Sequence, residues 1–259
     1  MTTPQYPIVL VHGMLAKDFF FLPAFRYIAD YLRNHHIPVY VTNQDGVGLI
    51  ANNAAQLKEE ISAILEKEGC AKVNIIAHSK GGVDSRYMIS RLDMGDKVAS
   101  LTTLSSPHKG SQLSATLLKL PGFLKKIIAG TVNAFYSAFD DSNPDLHGLG
   151  VELATDSMAV FNESVPNDPR VYYQSFSALT PKKVPLLLKL PYRFTHRCEK
   201  CDTDGIVSVS SSQWGKYQGH FGDGIDHLKM VSIYGGKKKL REVSALYLQI
   251  IHQLSDMGF

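Results

Sequence analysis

What most constrains this chain is an alternation of short apolar runs with longer stretches whose apolar residues recur at helical spacing. Ile8-Val9-Leu10-Val11 reads as a buried strand, Pro38-Val39-Tyr40-Val41 as a second and Lys72 to Ala77 as a third. Val98 to Ser105 reads as a fourth and Arg170 to Phe176 as a fifth. Between them, Pro23 to Asn34 has a helical pattern. Leu57, Ile61, Ile64 and Leu65 mark one face of a second helix between Asn53 and Glu68, and a third helix runs from Lys80 to Leu92. The last helix carries Leu240, Val243, Leu246, Tyr247, Ile250, Ile251 and Leu254 on one side. Apolar runs without polar alternation are strands covered on both faces. In this order they build an α/β fold, a mainly parallel sheet with helices on both sides. No repeat and no low-complexity linker interrupts the pattern, so residues 1–259 read as one domain.

One stretch breaks the alternation. No strand is evident between Ser111 and Val165, and Leu117 to Phe139 is helical in pattern but unusually apolar, with Leu120, Phe123, Leu124, Ile127, Ile128, Val132 and Phe135 along it. An insertion of about 112–165 after the fourth strand is expected to cap the sheet's C-terminal edge, where open α/β folds bind ligands. Its apolar face is too wide to stand in water, and is expected to pack over the cleft as a lid.

Composition narrows the partners. Hydrophobic residues make up 44% and charged residues 20%, ordinary values for a globular chain that can bury a core without staples. A formal charge of +3 implies no nucleic-acid partner, and Lys237-Lys238-Lys239 reads as a solvated helix start. No window is apolar for long enough to span a membrane. The N-terminus has no positively charged leader, which fits a cytoplasmic protein or export without a cleaved signal. The cysteines are Cys70, Cys198 and Cys201. The last two could supply half of a zinc site, but no second pair exists, so a local disulfide or two unpaired thiols is expected.

The chemistry centres on Ala77-His78-Ser79-Lys80-Gly81-Gly82, between the third strand and the helix that follows it. This is the pattern of a nucleophile elbow, with Ala in place of the first Gly. The turn is so tight that the residues two positions to either side must be small, and Ala77 and Gly81 are. A serine hydroxyl is a weak nucleophile until a base takes its proton, and a third group must orient that base. Later in the chain come Asp204, in Asp202-Thr203-Asp204-Gly205-Ile206-Val207, and His227, in a loop before the last helix. Their order after Ser79 suits a Ser-Asp-His triad, with Asp204 expected at a strand end. Asp202 and His220 are the rivals. Acyl transfer also needs N–H groups aimed at a developing oxyanion, and the backbone amides of Met14 and Lys80 are the candidates. His12 and His78 read as structural, and His108 as shaping the approach to the cap.

The chain resembles the bacterial triacylglycerol lipases of the Pseudomonas–Burkholderia–Proteus type. The matching pieces are Tyr6 to Gly13, Ala77 to Gly82, Ser105 to Ser111, Leu153 to Asn162, Asp204 to Val207 and Asp226-His227-Leu228, which span nearly the whole chain in order. The resemblance implies the α/β-hydrolase fold, Ser79, Asp204 and His227 as catalytic triad, Met14 and Lys80 as oxyanion donors, and a mobile lid within 112–150. Many of these lipases hold calcium near the catalytic histidine through an aspartate two residues after it. Here that position is Lys229, and Lys182 and Lys183 stand where an upstream carboxylate would, so no metal and no cofactor is expected.

The expected function is carboxylic-ester hydrolysis through an acyl-enzyme, most simply as a triacylglycerol lipase. The substrate is a lipid or ester, in one variant met at a lipid–water interface. The alternatives are a short-chain carboxylesterase, an acyltransferase on the same scaffold, or a lipid-binding protein with a dead site.

Overall fold

Ile8–Val11 (β1) is apolar at all four positions because both of its faces are covered. Ile8 and Leu10 point into one core and Val9 and Val11 into another, as the two-residue period of a strand requires. In the computed structural model, which describes residues 3–14, 24–180, 184–199 and 202–259, β1 sits inside a six-stranded sheet of order β2-β1-β3-β4-β5-β6. For Leu187 and residues 197–199 only the backbone is described. The other strands are Val39–Val41 (β2), Val73–His78 (β3), Val98–Leu104 (β4), Tyr172–Ser177 (β5) and Lys216–His220 (β6), and every pairing is parallel.

The helices divide between the faces. Arg26–Arg33 (α1) and Lys237–Asp256 (α9) pack together on one side, over Ile8, Leu10, Ile76 and Leu104. Ile50–Glu68 (α2) and Lys80–Arg91 (α3) cover the other, over Val9, Val11, Ile75 and Ala77. Because β1 and β3 are neighbours whose following helices leave to opposite faces, a crevice opens between their C-terminal ends. This is the switch point at which open α/β sheets bind ligands.

The insertion is wholly helical: Gln112–Leu117 (α4), Gly122–Ser137 (α5), Leu146–Glu152 (α6) and Thr155–Ser164 (α7). Pro121 caps α5, so the apolar stretch expected as one helix is two. A third core joins the insertion to the sheet: Leu149, Leu153 and Met158 meet Val47, Ile50 and Val83. Two carboxylates lock the join reciprocally. Asp45, after β2, accepts the N–H of Ser142 and Asn143 at 3.0 and 3.1 Å. Asp141, after α5, accepts those of Gly46 and Val47 at 3.0 and 2.9 Å.

Three expectations need correction. The apolar face of α5 was expected to pack over the cleft as a whole, and the helix buries only part of it. Val132 and Tyr136 turn inward, while Phe123 and Ile127 stand 65% and 61% exposed. Asp204 does not end a strand. It lies in an irregular segment whose only ladder contact among the described residues is the Thr203–Ser208 bridge. Finally, β6 and the helix Lys189–Glu199 (α8) were not anticipated. Cys201 and the side chain of Cys198 lie outside the described residues, as do Lys182 and Lys183. Among the described residues no helix is long and apolar enough to cross a membrane.

Candidate active site

Ser79 occupies the turn between β3 and α3 with φ 53° and ψ −129°, a conformation that costs a non-glycine residue about 1–3 kcal/mol. The strain is held from several sides. The Ser79 N–H donates to the Leu104 carbonyl of β4 at 2.9 Å, and Ala77 is wedged in the core beneath. A Cβ on Gly81 would lie 2.4 Å from the His12 carbonyl oxygen, and one on Gly13 would lie 2.6 Å from the Ser79 Cβ. The ends of β1 and β3 therefore touch through two glycines, and any larger side chain at either would push the turns apart.

This contact brings the candidate oxyanion donors to the same place. Met14 follows Gly13 at the end of β1, and Lys80 opens α3. The N–H groups of the first helical turn have no partner within the helix and carry the positive end of its dipole. The Lys80 side chain points elsewhere: its ammonium is buried and contacts both Asp84 carboxylate oxygens at 2.7 and 2.8 Å. Burial pushes the Asp84 carboxyl up to about 6, in spite of Lys80.

Asp204 and His227 are brought together. The His227 Nδ1–H donates to Asp204 Oδ2 at 2.6 Å, with both side chains buried, and the His227 N–H donates to the Asp204 carbonyl at 3.1 Å. The other carboxylate oxygen accepts the N–H groups of Ile206 and Val207 at 2.9 and 2.8 Å. A carboxylate held by three donors is fixed in orientation, and it fixes the imidazole tautomer that leaves Nε2 as the base. The imidazole faces the elbow, its ring centroid 4.4 Å from that of His78. The rivals lie elsewhere. Asp202 is exposed, and His220 shares a 2.7 Å hydrogen bond with Ser177.

His78 is fully enclosed, and burial and the neighbouring His227 hold its imidazole well below its usual range, so it stays neutral. His12 holds the β1 turn: its carbonyl accepts from Gln44 Nε2 at 2.8 Å. His108 is fully buried where the insertion meets the sheet, bonded to Thr103 at 3.0 Å and stacked on Trp214, and its carbonyl accepts from Asn162 at 2.8 Å. Next to it lies a group the sequence does not announce. Arg86 of α3 is buried between Trp214, 3.5 Å from the ring centroid, and Phe161, and donates to Asn162 and the Val165 carbonyl of the cap.

At the position where the lipase resemblance would place a calcium ligand, the Lys229 ammonium lies 2.8 Å from Asp226, which also accepts from Tyr234 at 2.6 Å. Among the described residues no three His, Cys, Asp or Glu side chains gather as a metal site would need. An apolar cavity of about 90 Å³ opens beside Met14 and runs between α4, α5 and α6, lined by Leu117, Leu118, Ile128, Leu149 and Leu153.

Residues 7–142, more than half of the chain, match the family model described as palmitoyl protein thioesterase. The chain is 31% identical over 254 residues to triacylglycerol lipase 2 of Saccharomyces cerevisiae, covering 90% of this chain and 73% of that protein. It is 32% identical over 181 residues to a Burkholderia plantarii triacylglycerol lipase, covering 63% of this chain but only 49% of that one. Among solved structures, the lipase of Staphylococcus hyicus superposes with a TM-score of 0.74 at 15% identity, over 99% of this chain and 98% of that one, a likeness of fold. The chain therefore belongs to the α/β-hydrolases that comprise the triacylglycerol lipases and the palmitoyl protein thioesterase family, as a serine carboxylic-ester hydrolase of the lipase type.

Proposed function

We propose that Ser79, Asp204 and His227 hydrolyse long-chain acyl esters, triacylglycerol among them, through an acyl-enzyme. His227 Nε2 takes the Ser79 proton as Oγ attacks the ester carbonyl, and the N–H groups of Met14 and Lys80 receive the charge that develops on its oxygen. Asp204 stabilises the imidazolium without taking its proton. The proton passes to the leaving alcohol, and water repeats the cycle on the acyl-enzyme. The observation that carries this reading is the buried 2.6 Å bond from His227 Nδ1 to Asp204, beside a serine at φ 53° on a helix start. The acyl chain has a natural berth in the cavity beside Met14, because its wall is nearly all hydrocarbon and it begins at a candidate oxyanion donor. The helices of 112–165 form the cap over that berth.

The test is kinetic, on p-nitrophenyl esters of rising chain length with emulsified triglyceride beside them. Ser79→Ala is expected to lose on the order of 10⁴-fold in kcat, and His227→Ala and Asp204→Asn to be crippled without additivity. A mild Asp204→Asn beside a damaging Asp202→Asn would refute the assignment of the acid.

The family match favours a second reading, cleavage of acyl thioesters at the same serine. A thiolate leaves with less protonation than an alkoxide, so His227→Ala should harm thioester turnover less than ester turnover. The ratio of kcat/KM for palmitoyl thioester and palmitoyl ester in the wild-type enzyme separates the two readings.

A further inference from the structure

The helix α6, Leu-His-Gly-Leu-Gly-Val-Glu, carries two glycines in its seven residues, an unfavourable choice inside a helix because glycine gives up the most backbone freedom there. The two glycines differ in what surrounds them. A Cβ on Gly148 would lie 2.2 Å from Oδ2 of Asp145, whose side chain caps the helix, and 2.9 Å from Leu49, so packing alone forbids a side chain. Apart from its chain neighbours and its own helix, a Cβ on Gly150 would meet one atom of the described residues within 4 Å, Leu118 Cδ2 at 3.9 Å, an ordinary contact. The backbone at Gly150 is helical, so it does not require glycine either. Gly150 and Leu118 both line the apolar cavity that opens beside Met14, and the space a side chain would take at position 150 belongs to that cavity.

The walls on both sides are anchored. The start of α6 is held by the Asn133 side chain of α5, which accepts the Leu146 N–H at 2.9 Å, and its end by Glu152, which accepts the Ile50 N–H of α2 at 2.8 Å. Between them Leu149 is fully buried in the third core. Opposite, the Leu118 carbonyl accepts from the Lys125 ammonium at 3.0 Å, which ties the end of α4 to α5. A side chain added at position 150 cannot push α6 aside and must enter the cavity.

We propose that Gly150 is a specificity-determining residue: its missing side chain makes the room that admits a long acyl chain, and the gap between Gly150 and Leu118 sets the length accepted. This rests on the reading of the cavity as the acyl berth. Each methylene moved from water into hydrocarbon gains about fourfold in affinity, so a chain that fills the gap is favoured over a short one by a factor that grows with every carbon. Gly150→Leu puts a branched four-carbon group into the same room.

Steady-state kinetics on p-nitrophenyl butyrate and palmitate in one detergent dispersion test this through the ratio of kcat/KM for the palmitoyl ester to that for the butyryl ester. Gly150→Ala is expected to lower the ratio about fourfold and Gly150→Leu about tenfold or more, with the change in KM for the palmitoyl ester. Leu118→Ala added to Gly150→Leu opens the facing wall and is expected to return most of the ratio. Gly150→Ala should unfold at or above the wild-type temperature, since a helix interior disfavours glycine. A folded Gly150→Leu protein with the wild-type ratio, an equal loss on both esters, or no recovery with Leu118→Ala would each overturn the proposal. Should Gly150→Leu not fold, an unchanged ratio in Gly150→Ala overturns it. Binding of cis-parinarate, a fluorescent long-chain fatty acid, to Ser79→Ala with and without Gly150→Leu reads the cavity without turnover, and about tenfold weaker binding is expected. A ratio that fails to move while Ser79→Ala is inert refutes the role of Gly150 and leaves the triad standing. Full esterase activity in Ser79→Ala, beside weakened cis-parinarate binding with Gly150→Leu, refutes the triad and leaves the role of Gly150 standing.

Discussion

Breaking the Lys80–Asp84 pair tests whether the elbow depends on a buried charge or only on backbone. Both side chains are at most 2% exposed, and the ammonium touches both carboxylate oxygens. Burial raises the Asp84 carboxyl from 3.8 to about 6 against the pull of Lys80, so desolvation outweighs an opposite charge in direct contact. The sign follows. This carboxyl binds a proton more tightly in the folded chain, so its contribution to stability is full below pH 3.8 and lost as pH rises through 6. At neutral pH the loss is on the order of 3 kcal/mol.

Removing one partner is worse than keeping the pair. Asp84→Asn leaves the buried Lys80 ammonium without its countercharge, where the Asn53 Nδ2 group, 3.3 Å from Asp84 Oδ2, is a second donor to the same side chain. The expected cost is about 3–5 kcal/mol, equivalent to a melting temperature lower by roughly 10 °C in a domain of this size. Lys80→Met with Asp84→Leu removes both charges at similar volume and should return to within about 1 kcal/mol of wild type, or exceed it. The Lys80 amide survives the double change, so kcat on a soluble ester should fall by less than about threefold. Thermal unfolding by circular dichroism and initial rates on the same samples give both numbers. A double variant no more stable than Asp84→Asn, or a folded double variant without activity, would refute the reasoning.

Two further outcomes follow from buried groups outside the triad. Arg86→Met removes a cation stacked 3.5 Å from the Trp214 ring centroid and leaves Asn162 and the Val165 carbonyl without their donor, so urea unfolding should show a loss of about 2–4 kcal/mol. His78 and His108 are held neutral by burial, well below the usual histidine range, so the unfolded chain binds protons that the folded one refuses. Their contribution is full above pH 6.5 and lost as pH falls below it, at about 1.4 kcal/mol per pH unit for each when fully developed. In urea unfolding at pH 7.5 and 5.5, His108→Phe should show a visibly shallower loss than wild type, whatever its absolute stability; an unchanged loss would contradict the assignment.

How far the sequence can be read depends on where each structure's partners lie. Strands β1, β3 and β4 are legible because they are covered on both faces, and a run such as Val-Asn-Ile-Ile-Ala-His admits few other places in a fold. The strand β6, Lys-Tyr-Gln-Gly-His, is an edge strand with one neighbour and no position that is fully buried, so nothing demanded an apolar run there. The helix α8 was hidden differently. Pro191 suggests a break, yet it falls in the first turn, where no intrahelical N–H is lost. At the site, the elbow was legible because its constraint is local: small residues two positions to either side of Ser79. The pairing of Asp204 with His227 is not local, and chain order and the lipase resemblance pointed to it; the Asp itself sits in an irregular segment and not at a strand end. The Asp45–Asp141 clamp and the Arg86–Trp214 stack left no signal, because each joins residues far apart in the chain and no local pattern marks either partner. The partial burial of α5 has the same origin. Periodicity reports that a helix has apolar sides, but not which side the rest of the chain can cover, and here the covered stripe is the one facing the third core.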